Sequence, residues 1–136
     1  LLEITQPGAC ETTAWLAVEV LDNCSALNDL TVTWQRSDGY PEMTDPFHLS
    51  DSPITVHWHA EDECGYSAEG LTIVTVILLG DLDRDGDVDL SDLAQLLAHY
   101  GTPAGAAYEH GDLDRDGDVD LSDLAALLGV YGNSCP

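Results

Sequence analysis

The sequence predicts a mixed fold, an all-β sandwich over residues 1–79 followed by a small α-helical module over residues 80–136 built from two loop-and-helix units. Three observations carry this reading. Apolar and polar residues alternate through the first part, which is the pattern of half-buried strands. After Gly80, acidic loops are each followed by leucines at helical spacing. Finally, the segment from Gly80 to Gly101 returns 31 residues later as Gly111 to Gly132, changed only at Gln95/Ala126, Ala98/Gly129 and His99/Val130. Repetition this close implies two equivalent structural units.

The predicted strands run from Trp15 to Val20, Leu30 to Trp34, Ile54 to Trp58 and Leu71 to Ile77, all rich in Val, Ile, Thr and Trp. Turn-forming breaks separate them at Asp22-Asn23, Ser37 to Pro41, Ser50 to Pro53 and Glu61 to Gly65. An antiparallel sandwich fits this spacing. Leu1 to Thr5 is apolar enough to add as a further strand, either to its own sheet or to the exposed edge of a neighbour. Trp15, Trp34 and Trp58 suit sugar stacking in principle, but aromatics at alternating strand positions are expected to fill a core. His57 and His59 lie two apart and so share a strand face. That pair suits a transition metal only where a third ligand is near, and it reads here as ordinary strand residues around Trp58.

A length of 136 residues allows one domain or two small ones, and small units need help from disulfides or metals. Twenty-six acidic residues against three arginines leave a formal charge of −23, so a cation-free chain would repel itself. The scarcity of basic residues argues against nucleic acid and anionic membrane surfaces as partners. No stretch approaches the roughly 18 apolar residues of a membrane span, so a soluble chain is expected. It opens at Leu1 rather than Met, which reads as a mature or excised segment. Cys10, Cys24, Cys64 and Cys135 are even in number and lack CxxC spacing, which favours disulfides in an oxidising, extracellular setting.

Each repeat places Asp at loop positions 1, 3, 5, 9 and 12 with Gly at position 6. That is the spacing of a calcium loop in an Asp-ended form. In the first loop the candidate ligands are Asp81, Asp83, Asp85, Asp89 and Asp92, with Asp87 offering its backbone carbonyl at position 7 and Gly86 making the turn. The second repeats them as Asp112, Asp114, Asp116, Asp118, Asp120 and Asp123 around Gly117. Calcium takes six to eight hard oxygen ligands, which carboxylates on alternate residues supply together, so two Ca2+ ions are expected. Val88 and Val119, at position 8, are expected to join the two loops through a short strand pair. Leu90, Leu93, Leu96, Leu97 and Tyr100, and their counterparts Leu121, Leu124, Leu127, Leu128 and Tyr131, lie at helix spacing, with most of the leucines expected in the core. Strand-like sequence precedes Asp81, so each unit is a loop with an exit helix only.

The segment from 80 to 132 resembles a type I dockerin, with two Gly-Asp-x-Asp-x-Asp-Gly-x-Val-Asp-x-x-Asp-Leu motifs, each followed by a helix. The resemblance implies paired F-hand calcium units, with the metal ligands on the aspartates named above. It also implies partner recognition at Leu90, Ser91, Leu121 and Ser122, a cohesin-like domain as partner, and binding in two orientations related by a pseudo-twofold axis. The first half looks like a hyalin-repeat domain, an immunoglobulin-like sandwich of extracellular proteins, through Val20-Leu-Asp-Asn-Cys24 and Ile54-Thr-Val-His-Trp-His-Ala-Glu-Asp-Glu-Cys-Gly65. That likeness implies a Cys24–Cys64 bridge. It leaves Cys10 with Cys135 as its candidate partner, within the chain or between neighbouring chains.

No Ser-His-Asp order, paired-carboxylate cleft or nucleotide loop is apparent, so catalysis is not expected. The sequence favours calcium-dependent extracellular attachment to a protein partner. The alternative is a structural subunit polymerised head to tail into a filament by strand addition and the calcium module. An enzyme fragment whose catalytic domain lies elsewhere is a third reading.

Overall fold

The computed structural model describes the backbone of residues 2–6 and all of residues 8–14, 16, 19, 20 and 30–135. Within them the fold is mixed and β-rich, with two antiparallel sheets and two α-helices. The strands are β1 (Leu2–Gln6), β2 (Glu11–Thr12), β3 (Thr31–Arg36), β4 (Phe47–His48), β5 (Ile54–Glu61) and β6 (Ser67–Leu78), and the helices are α1 (Leu90–His99) and α2 (Leu121–Val130). The chain divides into two compact units, one of Leu1–Ile4 with Thr12–Val76 and one of Thr5–Glu11 with Ile77–Pro136.

The four-stranded sheet has the order β1-β6-β5-β3, and β2 pairs with β4 in a second, two-stranded sheet. The alternation in β5 does what the period of two dictates: Ile54, Val56 and Trp58 are buried while His57 between them is exposed. Phe47, Val74 and Val76 join them in one core, with Ala14, Leu16, Val32, Met43 and Leu49 packed around it. Each fully buried side chain of this size is worth about 1.5–3 kcal/mol of transfer free energy. Trp34 departs from expectation. It stands directly across from Trp58, their ring centroids 6.2 Å apart, but it remains 40% exposed. The reason is its place on β3, which lies at the edge of the sheet among the described residues. Its indole N–H donates to the Pro41 carbonyl at 3.2 Å. Trp15 and the turn at Asp22-Asn23 lie outside the described residues. Of the strand expected over 15–20, Leu16, Glu19 and Val20 are described and form no strand.

Arg36, passed over by the sequence reading, ends β3 fully inside the unit. Its guanidinium grips Asp38 through Nε at 3.0 Å and Nη2 at 2.6 Å, donates to the carbonyls of Glu42, Asp45 and Pro46 at 2.9 Å each, and lies 3.9 Å over the Phe47 ring. Burial works against the Asp38 charge, but the hydrogen bonds from Arg36 and the Tyr40 amide outweigh it and hold this carboxyl below its usual value. The pair fixes the whole 37–47 connection.

The second unit repeats one motif twice. Asp89 and Asp120 cap the helices, each accepting from the N–H of the serine two residues on at 2.6 Å. Asp92 and Asp123 reach back to the cap N–H at 2.8 Å, completing reciprocal capping boxes. Val88 and Val119 are fully buried, but they do not pair with each other as expected. The Val88 N–H donates to Asn133 and its carbonyl accepts from Gly132, while Val119 makes the equivalent bonds with Thr102 and Gly101. Each loop is therefore stitched to the chain leaving the other repeat's helix, because that chain turns back beside it after Gly101 or Gly132. Crossed packing follows the same rule. A methyl group on Gly111 would lie 2.8 Å from Cγ of Leu96, and one on Gly80 would lie 2.8 Å from Cγ2 of Val130; both glycines also hold left-handed backbone, at φ +101° and +93°.

The helices bury less than their leucine content suggests. Leu96 and Leu127 are fully buried and Leu93 and Leu124 half-buried, whereas Leu90, Leu97, Leu121 and Leu128, with Tyr100 and Tyr131, are 47–66% exposed. A ten-residue helix presents one stripe to its core, and here that stripe begins with Asp92 or Asp123 facing the loop. The leucines a residue or two off it point to solvent. Cys10 and Cys135 form a disulfide, with Cα atoms 5.4 Å apart, which settles their pairing within one chain. The bridge closes within the second unit, to which residues 5–11 belong. The Cys24 end of the expected Cys24–Cys64 bridge lies outside the described residues. Cys64 is exposed and bridges to no described residue. No helix among the described residues is long and apolar enough to cross a membrane.

Candidate metal centre

The two loops draw their aspartates together by folding backbone N–H groups onto a few carboxylates. In the first, Asp81 accepts from the N–H of Asp85 at 3.1 Å and of Gly86 at 3.0 Å. Asp92, fully buried, accepts from Leu82 at 2.6 Å and Asp83 at 3.3 Å. The second loop repeats this through Asp112 with Gly117 at 3.1 Å, and Asp123 with Leu113 at 2.7 Å and Asp114 at 3.3 Å. Position 12 is thereby tied both to the loop start and to the helix cap, so loop and helix form one element.

The result is four groups of three aspartates, each offering carboxylate oxygens within 4.8 Å of one another: Asp81, Asp83 and Asp85; Asp87, Asp89 and Asp92; Asp112, Asp114 and Asp123; and Asp118, Asp120 and Asp123. Eleven of the twelve expected ligands fall in a group. The exception is Asp116, whose carboxylate accepts from the Asp118 N–H at 3.1 Å. Clusters of this kind can hold a metal ion.

The electrostatics are those of a site waiting for positive charge. Burial first, and then the nearby Asp92, raise the Asp81 carboxyl above its ordinary value. Desolvation followed by repulsion from neighbouring carboxylates raises Asp83, Asp87, Asp114 and Asp118 as well. Asp112 is only 4% exposed, and its Oδ1 has no hydrogen-bond partner. One oxygen each of Asp87 and Asp118 is likewise shut off from solvent and unpaired, although both side chains remain partly exposed. Buried acceptors without donors are costly and rare, and a cation bound among them would remove the cost. All donors in the loops are hard oxygens, which fits a hard divalent ion and not a thiophilic one.

Leu90 and Leu121 lie at the helix starts, each 66% exposed, beside the exposed Ser91 and Ser122. The two sets are equivalent by repeat. Sequence reasoning missed Tyr108, in a short 3-10 turn over Tyr108–His110. Its hydroxyl donates to the Leu78 carbonyl at 3.1 Å and accepts from the Gly80 N–H at 3.0 Å, anchoring the residue before Asp81. Burial pushes this phenol above its usual value. A lone linker tyrosine carries no periodic signal, so only the fold exposes its role. No family model, curated protein or solved structure matches the chain.

Proposed function

We propose that this chain is a calcium-dependent extracellular attachment module, binding a protein partner and not acting as an enzyme, with two Ca2+ ions held by the duplicated aspartate loops. The observation that carries the reading is the near-complete Asp112 burial with an unpaired Oδ1 inside a three-aspartate group. Calcium would supply the missing charge and the remaining coordination, and the finer dockerin-like reading of the helical module rests on it. In that reading the aspartates hold the loops in shape while Leu90, Ser91, Leu121 and Ser122 meet a cohesin-like or other surface partner. The Cys10–Cys135 disulfide suits a secreted location, and the strands of the first unit suit an immunoglobulin-like sandwich.

The filament reading draws less support. β1, the segment that strand addition would lend to a neighbour, is already paired with β6 in its own sheet. Negative-stain microscopy of the purified chain with calcium and after chelation separates the two. Discrete particles that capture a cohesin domain only in calcium support attachment; calcium-dependent fibres would replace it with the filament.

A further inference from the structure

The geometry points to a second, chemically different metal site on the open face of the four-stranded sheet, built from His57, His59, Glu61 and Glu69 and taking a borderline divalent ion such as Zn2+, Ni2+ or Cu2+. It is independent of the calcium reading. All four residues lie in the first unit, and none belongs to the aspartate loops.

The alternation of β5 sends Ile54, Val56 and Trp58 into the core, so His57, His59 and Glu61 share the opposite face. Register then adds what sequence spacing alone lacked. Glu69 of β6 stands directly across from His59, and Leu71 across from His57, while Thr33 and Gln35 of β3 flank the histidines on the other side. These residues, with Trp34, Trp58 and Gly70, line an open trough of about 860 Å³ crossing three strands. His59 Nε2 already lies 3.8 Å from Glu61 Oε2, with both side chains about half exposed.

Distances decide whether such a set can close. Directly opposed residues of an antiparallel pair have Cβ atoms roughly 4.5–5.5 Å apart, and same-face neighbours along a strand stand roughly 6.5–7 Å apart. Imidazole nitrogens and Glu carboxylates extend several ångströms beyond Cβ, so His57, His59 and Glu69 can converge on one point by side-chain rotation alone. In the structure no three of these donors yet lie within 4.8 Å of one another; the site is assembled by the ion, on a fixed sheet. Two imidazoles with one or two carboxylates make a ligand set for Zn2+ or Cu2+, whereas the all-oxygen loops suit calcium. Thr33 and Gln35 of β3 stand across from His59 and His57, and the Thr33 hydroxyl donates to the His59 backbone carbonyl at 3.4 Å, which holds β3 and β5 together at the site.

The test uses the full chain in saturating calcium, so that the aspartate loops hold their own ion, with ZnCl2 titrated by calorimetry at pH 7.5 and Cu2+ followed by electron paramagnetic resonance. One Zn2+ per chain is expected, with at least about tenfold weaker binding in His57→Ala or His59→Ala and a smaller loss in Glu69→Gln. The parent Cu2+ spectrum should carry hyperfine structure from two imidazole nitrogens. Because the altered side chains are solvent-facing, far-UV circular dichroism and calcium uptake of the variants should match the parent. Unchanged Zn2+ binding in the His57→Ala/His59→Ala variant would overturn the assignment. So would its loss in His99→Ala/His110→Ala instead, a pair in the second unit whose rings stack with centroids 4.6 Å apart, or a parent Cu2+ spectrum without nitrogen coupling.

Discussion

Asp123 does three things with one carboxylate. It accepts from Leu113 and Asp114, accepts from the Asp120 cap N–H, and contributes to both aspartate groups of its loop. Replacing it by Asn keeps the shape but turns one acceptor into a donor facing an N–H, in a site with no exposure to water. Asp123→Asn should therefore cost about 1–3 kcal/mol before any metal is considered and should also remove the second calcium site. A melting curve whose response to calcium matches the parent's would argue against it. Gly111 offers a purely steric test. Ala there meets both a left-handed φ and the Leu96 side chain, and overpacking of this kind costs about 1–3 kcal/mol. Gly105→Ala, left-handed but with open space around it, should cost less, about 1–2 kcal/mol. Urea titration of the two variants side by side checks the order.

At the scale of elements, the loops were legible in the sequence because ligand spacing is set locally, within twelve residues and by backbone geometry alone. Strands β3, β5 and β6 were legible for a similar reason, their period-two pattern, although β6 starts at Ser67, four residues before the apolar run begins at Leu71. What escaped were relations between distant residues. Val88 and Val119 looked like partners because they are equivalent, yet each pairs with the exit of the other helix. Arg36 lay beyond the strand expected to end at Trp34, and only the fold brings Asp38 and three carbonyls around it. The helix leucines overstated the core because periodicity counts apolar residues without showing how much of the stripe is covered.

The loops also predict opposite pH responses with and without metal. Asp81, Asp83, Asp87, Asp114 and Asp118 all have folded-state values raised above the ordinary 3.8. In metal-free protein the folded chain thus keeps protons that the unfolded chain releases, and stability falls as pH rises through the raised values. With calcium bound, the ion requires ionised carboxylates, and stability falls as pH drops through the same window. As pH is lowered through the raised values, melting temperatures should rise for stripped protein and fall for calcium-loaded protein; parallel trends would contradict this. Cys135 adds an asymmetry between the loops. Its N–H donates to the Gly86 carbonyl at 2.7 Å, so the disulfide pins the first loop only. Cys10→Ser should cost about 2–5 kcal/mol and weaken calcium at the first loop more than at the second, which separate titration of Asp81→Ala and Asp112→Ala backgrounds would reveal.

For the whole molecule, a formal charge of −23 opposes compactness, and on the proposed reading bound cations relieve that repulsion in the second unit. Twelve loop aspartates lie within residues 81–123, and only Arg84 and Arg115 oppose them there. Its apolar core is small, centred on Leu96, Leu127, Val88 and Val119, and units of this size lean on metals or disulfides for stability. This unit has the disulfide, and on this account it needs the ion as well. The most direct test is calorimetric titration of the stripped chain with calcium, read together with its far-UV circular dichroism. The account predicts two equivalents bound per chain and a gain of helical signal on binding. No uptake, or a chelator-treated chain that keeps its full helical signal and melting temperature, would contradict it.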